Sequence, residues 1–157
     1  MNFSKTYTVD EAQRRMEHYC AYRERCHSEV EKKMNEMRLI PLAKEKILLY
    51  LLENDFLNET RFAQVFTRDK FRLKQWGKQR IVRELKQRNI SPYTIEKALA
   101  EINSDDYVDT LNELCEQRLR QINETNKYKK RKKLADYLLY RGWESDLVYE
   151  RVTNLIP

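Results

Sequence analysis

The apolar positions of this chain recur in matched groups. Val30, Met34, Leu39, Leu48 and Leu51 are separated by 4, 5, 9 and 3 residues. Ile81, Leu85, Ile90, Leu99 and Ile102 keep those intervals, and so do Leu134, Leu138, Trp143, Val152 and Leu155. The groups are offset by 51 and then 53 residues, so the chain reads as a threefold repeat. In each group the first pair lies on one face of a helix. The third residue falls just past that helix, where it can plug the space between neighbours, and the last pair belongs to the next helix. Pro41 and Pro92 stand two residues after their plugs, in the first turn of a following helix, and Ser145 takes that place in the third group. Asn89 and Gly142 stand one residue before the plug, the usual place of a left-handed helix end.

A further amphipathic stretch precedes each group. The first opens on Thr8-Val-Asp-Glu11, a capping-box pattern. The second carries Phe62, Val65, Phe66 and Leu73 on one side, and the third carries Val108, Leu111, Leu114 and Leu119. The spacing therefore predicts helices over 8–24, 26–38 and 41–54, then 58–74, 77–88 and 91–102, then 104–124, 128–140 and 144–155. The expected fold is all-α: three tandem three-helix modules, residues 1–55, 56–103 and 104–157, forming an elongated, curved helical repeat. A three-helix unit of roughly 50 residues is marginal alone, so the modules should lean on one another.

Composition supports this class. Two glycines and three prolines in 157 residues are too few for the turns of a sandwich, barrel or Rossmann fold. Charged residues reach 36%, yet 41% of the chain is hydrophobic, enough to bury a core. The net charge of +6 is unevenly placed. Residues 61–90 carry net +8 and residues 127–141 net +6, so the remainder is acidic. Arg61, Gln64, Arg68 and Arg72, spaced 3, 4 and 4, form a stripe opposite Phe62 and Phe66. Lys74, Lys78 and Arg80 extend it past Gly77, and Lys129 and Lys130 open the basic run of the third module. These eight basic residues are the candidate partner-binding set. Arginine suits two-pronged contacts to carboxylate or phosphate. The plain alternative is a solvated face. Trp76 reads as a buried aromatic beside a turn glycine, with a stacking or partner contact as the alternative, and Trp143 as core.

The chemistry of an enzyme is missing from the pattern. Gly77 and Gly142 stand in no phosphate-cradling loop, and no GxSxG or HExxH occurs. His18, Cys20, Cys26 and His27 fall within ten residues, but their spacing does not suit a tetrahedral ion, so neither metal nor cofactor is expected. Asp105 and Asp106 sit at a helix start, where they serve the dipole. Three unevenly spaced cysteines make no disulfide framework and point to a reducing, cytoplasmic home. The start of the chain lacks the apolar region of a signal peptide, and no apolar run approaches the roughly 20 residues of a membrane span.

Phe56-Leu57-Asn58-Glu59-Thr60-Arg61-Phe62-Ala63, Arg68, Gly77-x-x-x-Ile81-x-x-Glu84-Leu85 and Arg88-Asn89-Ile90 together resemble the RecX family of bacterial recombinase regulators. Lys132, Leu134, Tyr137-Leu138 and Arg141-Gly142-Trp143 are similar to that family's closing segment. The likeness runs from about residue 10 to 155, with Asn89 where the family often has Gly and Cys26 where a Ser or Thr cap is usual. The resemblance implies tandem three-helix modules and a non-enzymatic regulator of RecA; separately, a monomer is expected. Such a protein would lodge in the RecA filament on single-stranded DNA and lower RecA's ATPase and strand exchange. The basic residues leave two other roles open: direct, weak, non-specific nucleic-acid binding through phosphates, and a helical-repeat adaptor for another protein.

Overall fold

The computed structural model describes residues 6–157, and among them there are nine helices and no strand. They are α1 (Val9–Tyr22), α2 (His27–Glu36), α3 (Pro41–Glu53), α4 (Glu59–Lys74), α5 (Lys78–Gln87), α6 (Pro92–Leu99), α7 (Ser104–Gln121), α8 (Lys127–Tyr140) and α9 (Ser145–Leu155). Local chemistry sets the starts. The Thr8 hydroxyl accepts the Glu11 N–H at 3.1 Å, and Asn58, Ser91, Asn103 and Asn126 cap α4, α6, α7 and α8 in the same way. Pro41 and Pro92 occupy the first turns of α3 and α6. At α2 the fully buried Cys26 is the cap residue, and the Glu29 carboxylate reaches back to accept its N–H at 3.4 Å.

The repeat is visible at the helix ends. Arg38, Asn89 and Gly142 all have positive φ, at 57°, 59° and 92°. Each is followed by its plug. The N–H groups of Leu39, Ile90 and Trp143 donate to the carbonyls of Met34, Leu85 and Leu138 at 3.4, 3.1 and 3.2 Å. This is one C-terminal motif at three matched places, and Asp55 with Phe56 uses it again at the end of α3. Arg38 adopts the left-handed turn without glycine or asparagine, which its residue type did not announce.

The apolar core divides unequally. Met16, Val30, Met34, Ile47, Leu51 and Leu57 belong to one cluster, built from α1–α3 and the start of the following loop. A second, larger cluster runs without a break from Phe62 to Ile156, and Cys26 sits at its edge. The accessible surface is 10461 Å², against roughly 8,400 Å² for a compact monomer of this mass, so the body is extended.

Three expected core positions are corrected. Leu73, expected beside Phe62, is 77% exposed, because α4 is covered by α6 along a narrower strip than its apolar stripe. Val108 lies at the edge of α7, and Leu155 ends α9 partly in solvent, leaving Val148 and Val152 to bury that helix. No helix among the described residues is long and apolar enough to cross a membrane.

Candidate partner-binding site

The basic residues separate into three groups. Arg68, Arg72 and Lys74 are exposed on α4. Arg68 and Arg72 border a cleft of about 240 Å³, with Phe71 and Thr67 in its floor and Glu101 and Asp106 across it. Neither arginine is ion-paired among the described residues. This is an available cationic face on a helix held rigidly by its buried side.

Arg61, Lys78 and Arg80 are drawn into joints between modules. Arg61 reaches back to the first module: its Nε is 2.6 Å from Glu24 Oε1, and its Nη1 is 2.9 Å from Asp55 Oδ2. The Glu24 hydrogen bond raises the Arg61 pKa above its ordinary value, burial opposing. Nearby, His27 Nδ1 lies 3.2 Å from Glu59 Oε1. Burial raises the Glu59 pKa, and the charge of His27 only partly offsets it. Glu24 Oε2 and Glu59 Oε2 are buried without a hydrogen-bond partner.

The opposite joint is made of backbone and rings. The Gly77 N–H donates to the Arg141 carbonyl at 2.8 Å, and the Gln79 N–H donates to the Gly142 carbonyl at 3.0 Å. The chain's two glycines face each other here. A Cβ on Gly77 would run into the Gly142 carbonyl, and one on Gly142 into the backbone of Arg80. The fully buried Trp143 donates its indole N–H to the Gln75 carbonyl at 3.1 Å and packs on Tyr107 at 4.5 Å between ring centroids. The Tyr107 hydroxyl donates to Glu144 and accepts the Lys78 N–H at 2.9 Å. Burial, then that carboxylate, raises the Tyr107 pKa, so the phenol stays neutral.

Arg80 stacks in this joint. Its guanidinium lies 4.2 Å from the centre of Trp76 and 5.0 Å from that of Tyr140. Lys70 lies over Phe66 and Trp76, and Arg88 also lies over Phe66, at 5.0 Å from its centre. Arg88, Phe66, Lys70, Trp76, Arg80 and Tyr140 thus alternate cation and ring across two modules. Sequence reasoning singled out Arg80 and kept a stacking contact open for Trp76, but missed the part of Lys70, Arg88, Phe66 and Tyr140; the basic and aromatic alternation of 66–80 was the available signal. Trp76 is half-buried in this row.

Lys129 and Lys130 lie in the first turn of α8, apart from the α4 face, where Asn126 accepts the Tyr128 and Lys129 N–H groups. Lysines there oppose the helix dipole. Glu124 offsets part of this charge. Its pKa is lowered first by the Asn126 N–H that it accepts and then by Lys133. Among the described residues no three His, Cys, Asp or Glu side chains converge on a metal-sized point. Cys20 and Cys115 are pushed up to about 11 by burial, so both are protonated thiols.

The family models described as RecX, second three-helix domain, and RecX, third three-helix domain, match residues 58–99 and 105–150. The regulatory protein RecX of Clostridioides difficile (strain 630) is 26% identical over 110 residues, covering 70% of this chain and 51% of that protein. The RecX of Clostridium tetani is 32% identical over 104 residues, covering 64% and 47%. The chain spans about half the length of the curated relatives it matches. A crystal structure of regulatory protein RecX superposes with a TM-score of 0.82 at 23% identity, covering 93% of this chain and 73% of that one. That of RecX from Lactobacillus salivarius gives 0.80 at 20% identity, covering 94% and 96%. At these identities the two structures establish the all-helical fold.

Proposed function

The chain belongs to the RecX family of regulatory proteins, and on that premise we propose that it binds the RecA filament on single-stranded DNA and lowers RecA activity. The observation that carries this reading is the family match through both modules that hold the basic surface. The three modules, taken as 1–55, 56–103 and 104–157, form an extended body that can lie along a filament and present one cationic helix to it. Arg68, Arg72 and Lys74 supply that contact. They are exposed, without an ion pair among the described residues, and mounted on a helix whose other side is core. Arg61, Lys78 and Arg80 fix the helix in place rather than touch the partner. Lys129 and Lys130 make a second, separate contact on the third module. The protein performs no chemistry in this role; binding alone obstructs filament growth and turnover.

The row of rings and cations favours a second reading. Alternating aromatic and basic groups are the usual platform for unpaired bases, so the same face would bind single-stranded DNA directly. The two readings separate in one experiment: RecA ATPase on single-stranded DNA, with the parent chain and with Arg68→Ala plus Arg72→Ala, beside a DNA-only binding control. The double variant should weaken inhibition by roughly tenfold or more, since anchoring arginines at interfaces carry about 2 kcal/mol. Its stability should change by less than about 1 kcal/mol. Full inhibition by the double variant removes the α4 face from the account. Steeply salt-dependent binding to DNA alone selects the second reading.

A further inference from the structure

The α4 stripe that the core leaves uncovered does not face open solvent evenly. Val65 and Phe66 line a groove of about 280 Å³ between the first and second modules, with the exposed Leu73 at its rim, Glu24 on the far wall and Lys70 and Lys74 on the near one. The charges of the two walls differ in how far they are satisfied. On the far wall Glu24 is held by Arg61 through one carboxylate oxygen, its other oxygen being buried without a partner, and Glu29 is held by Arg23 and Arg25. On the near wall Arg88 is held by Glu84, whereas Lys70 and Lys74 have no ion pair among the described residues. Asp69 lies beside them and has no ion pair among the described residues. Beyond the groove, the stretch 61–90 carries net +8. The surface therefore joins an apolar lining, of which Leu73 is the uncovered part and Phe66 lies under Lys70 and Arg88, to an unmet positive charge.

We propose that this groove docks an acidic protein segment that inserts a bulky apolar side chain onto Val65, Phe66 and Leu73 and sets a carboxylate against Lys70 and Lys74. The proposal deepens the reading that the partner is a protein, by naming where and by what chemistry it is gripped. The volume suits one or two side chains rather than a cofactor, and anchors of that kind dominate helix-in-groove binding. The exposure of Leu73, 77%, is explained as a face kept for a partner.

The test titrates the full chain with a capped synthetic peptide carrying two leucines four residues apart among glutamates. Comparison ligands are the same peptide with lysine for glutamate, the same with serine for leucine, and an oligothymidylate. Trp76, which touches Phe66 and Lys70, reports through its emission, while Trp143 is buried away from the groove. The glutamate–leucine peptide should bind, and the lysine and serine peptides should bind at least about tenfold more weakly. Leu73→Asp, and Lys70→Glu plus Lys74→Glu, should each lose at least about tenfold of that affinity. Leu49→Asp, at an exposed leucine of α3, should lose none. Unchanged binding by Leu73→Asp, no binding of the acidic peptide, or equal binding of the lysine peptide overturns the proposal. So does oligothymidylate binding that outcompetes the peptide and is lost in Leu73→Asp, which would assign the groove to nucleic acid. RecA takes no part in this titration, so its failure and a failure of the filament reading are seen separately.

Discussion

The two joints of this chain hold its modules by opposite means. Between the first and second modules the contacts are ionic: Arg61 with Glu24 and Asp55, and His27 with Glu59. The apolar core stops there, apart from Cys26 on one side and Leu57, with Phe56 beside it, on the other. Between the second and third modules the core is continuous, two glycines let the backbones touch, and the hydrogen bonds run mainly through carbonyls. Ionic contacts in partly solvated positions are screened by salt and contribute little net stability. Close backbone approach with shared apolar burial is neither screened nor adjustable. The lesson is that three modules of one pattern make a fixed pair and a separately attached third. The basic face of α4 belongs to the fixed pair.

The largest test of this contrast strikes the fixed joint. Gly142→Ala places a Cβ against the Arg80 backbone at φ +92°, and should cost at least about 3 kcal/mol in urea unfolding. Asn89→Gly, at the matching turn inside the second module, should be neutral or slightly stabilising, since only the left-handed φ of 59° matters there. A mild Gly142→Ala would mean that the close approach is dispensable.

The ionic joint should answer more weakly and more locally. Arg61→Ala removes the partner 2.6 Å from Glu24, a carboxylate whose other oxygen is already unpartnered, and should cost roughly 1–3 kcal/mol. The chain carries its own reporters, because Cys20 and Cys26 flank this joint and Cys115 lies in the third module. In native conditions Arg61→Ala should speed thiol labelling of Cys20 and Cys26 by about tenfold or more and leave Cys115 unchanged. Uniform acceleration of all three would show that the joints are not independent.

The smallest effect is a pH signature. Burial raises the Glu59 pKa, and His27 only partly opposes it. A carboxyl whose folded pKa is above its unfolded one contributes stability that is full below the ordinary carboxylate range and is lost as pH rises through the folded value. Glu59→Gln should therefore melt slightly higher than the parent at pH 7, and the gap should close as pH falls toward about 4, the ordinary range of Glu. A lower melting temperature for the variant at pH 7 would show that the His27 pair outweighs burial.

Much of the fold was legible because interval and period survive without tertiary context. The plugs Leu39, Ile90 and Trp143, and the helix ends before them, could be read from spacing alone. What could not be read follows from partners distant in sequence. Leu73 shares the apolar stripe of α4, and only the footprint of α6 decides that it is uncovered. Arg61 shares a helical face with Arg68 and Arg72, yet Glu24 lies 37 residues away and captures it. The stacking of Arg80 between Trp76 and Tyr140 likewise needs the third module in place.

The central claim is that the fixed pair of modules, through the α4 face, carries the contact with the RecA filament. Amide hydrogen exchange of the chain, alone and with RecA assembled on single-stranded DNA, tests it most directly. The account predicts added protection over α4 and the turn into α5, with a second, smaller patch at the start of α8, and little change in α3. Protection confined to α1–α3, or none at a concentration that inhibits RecA, would contradict it.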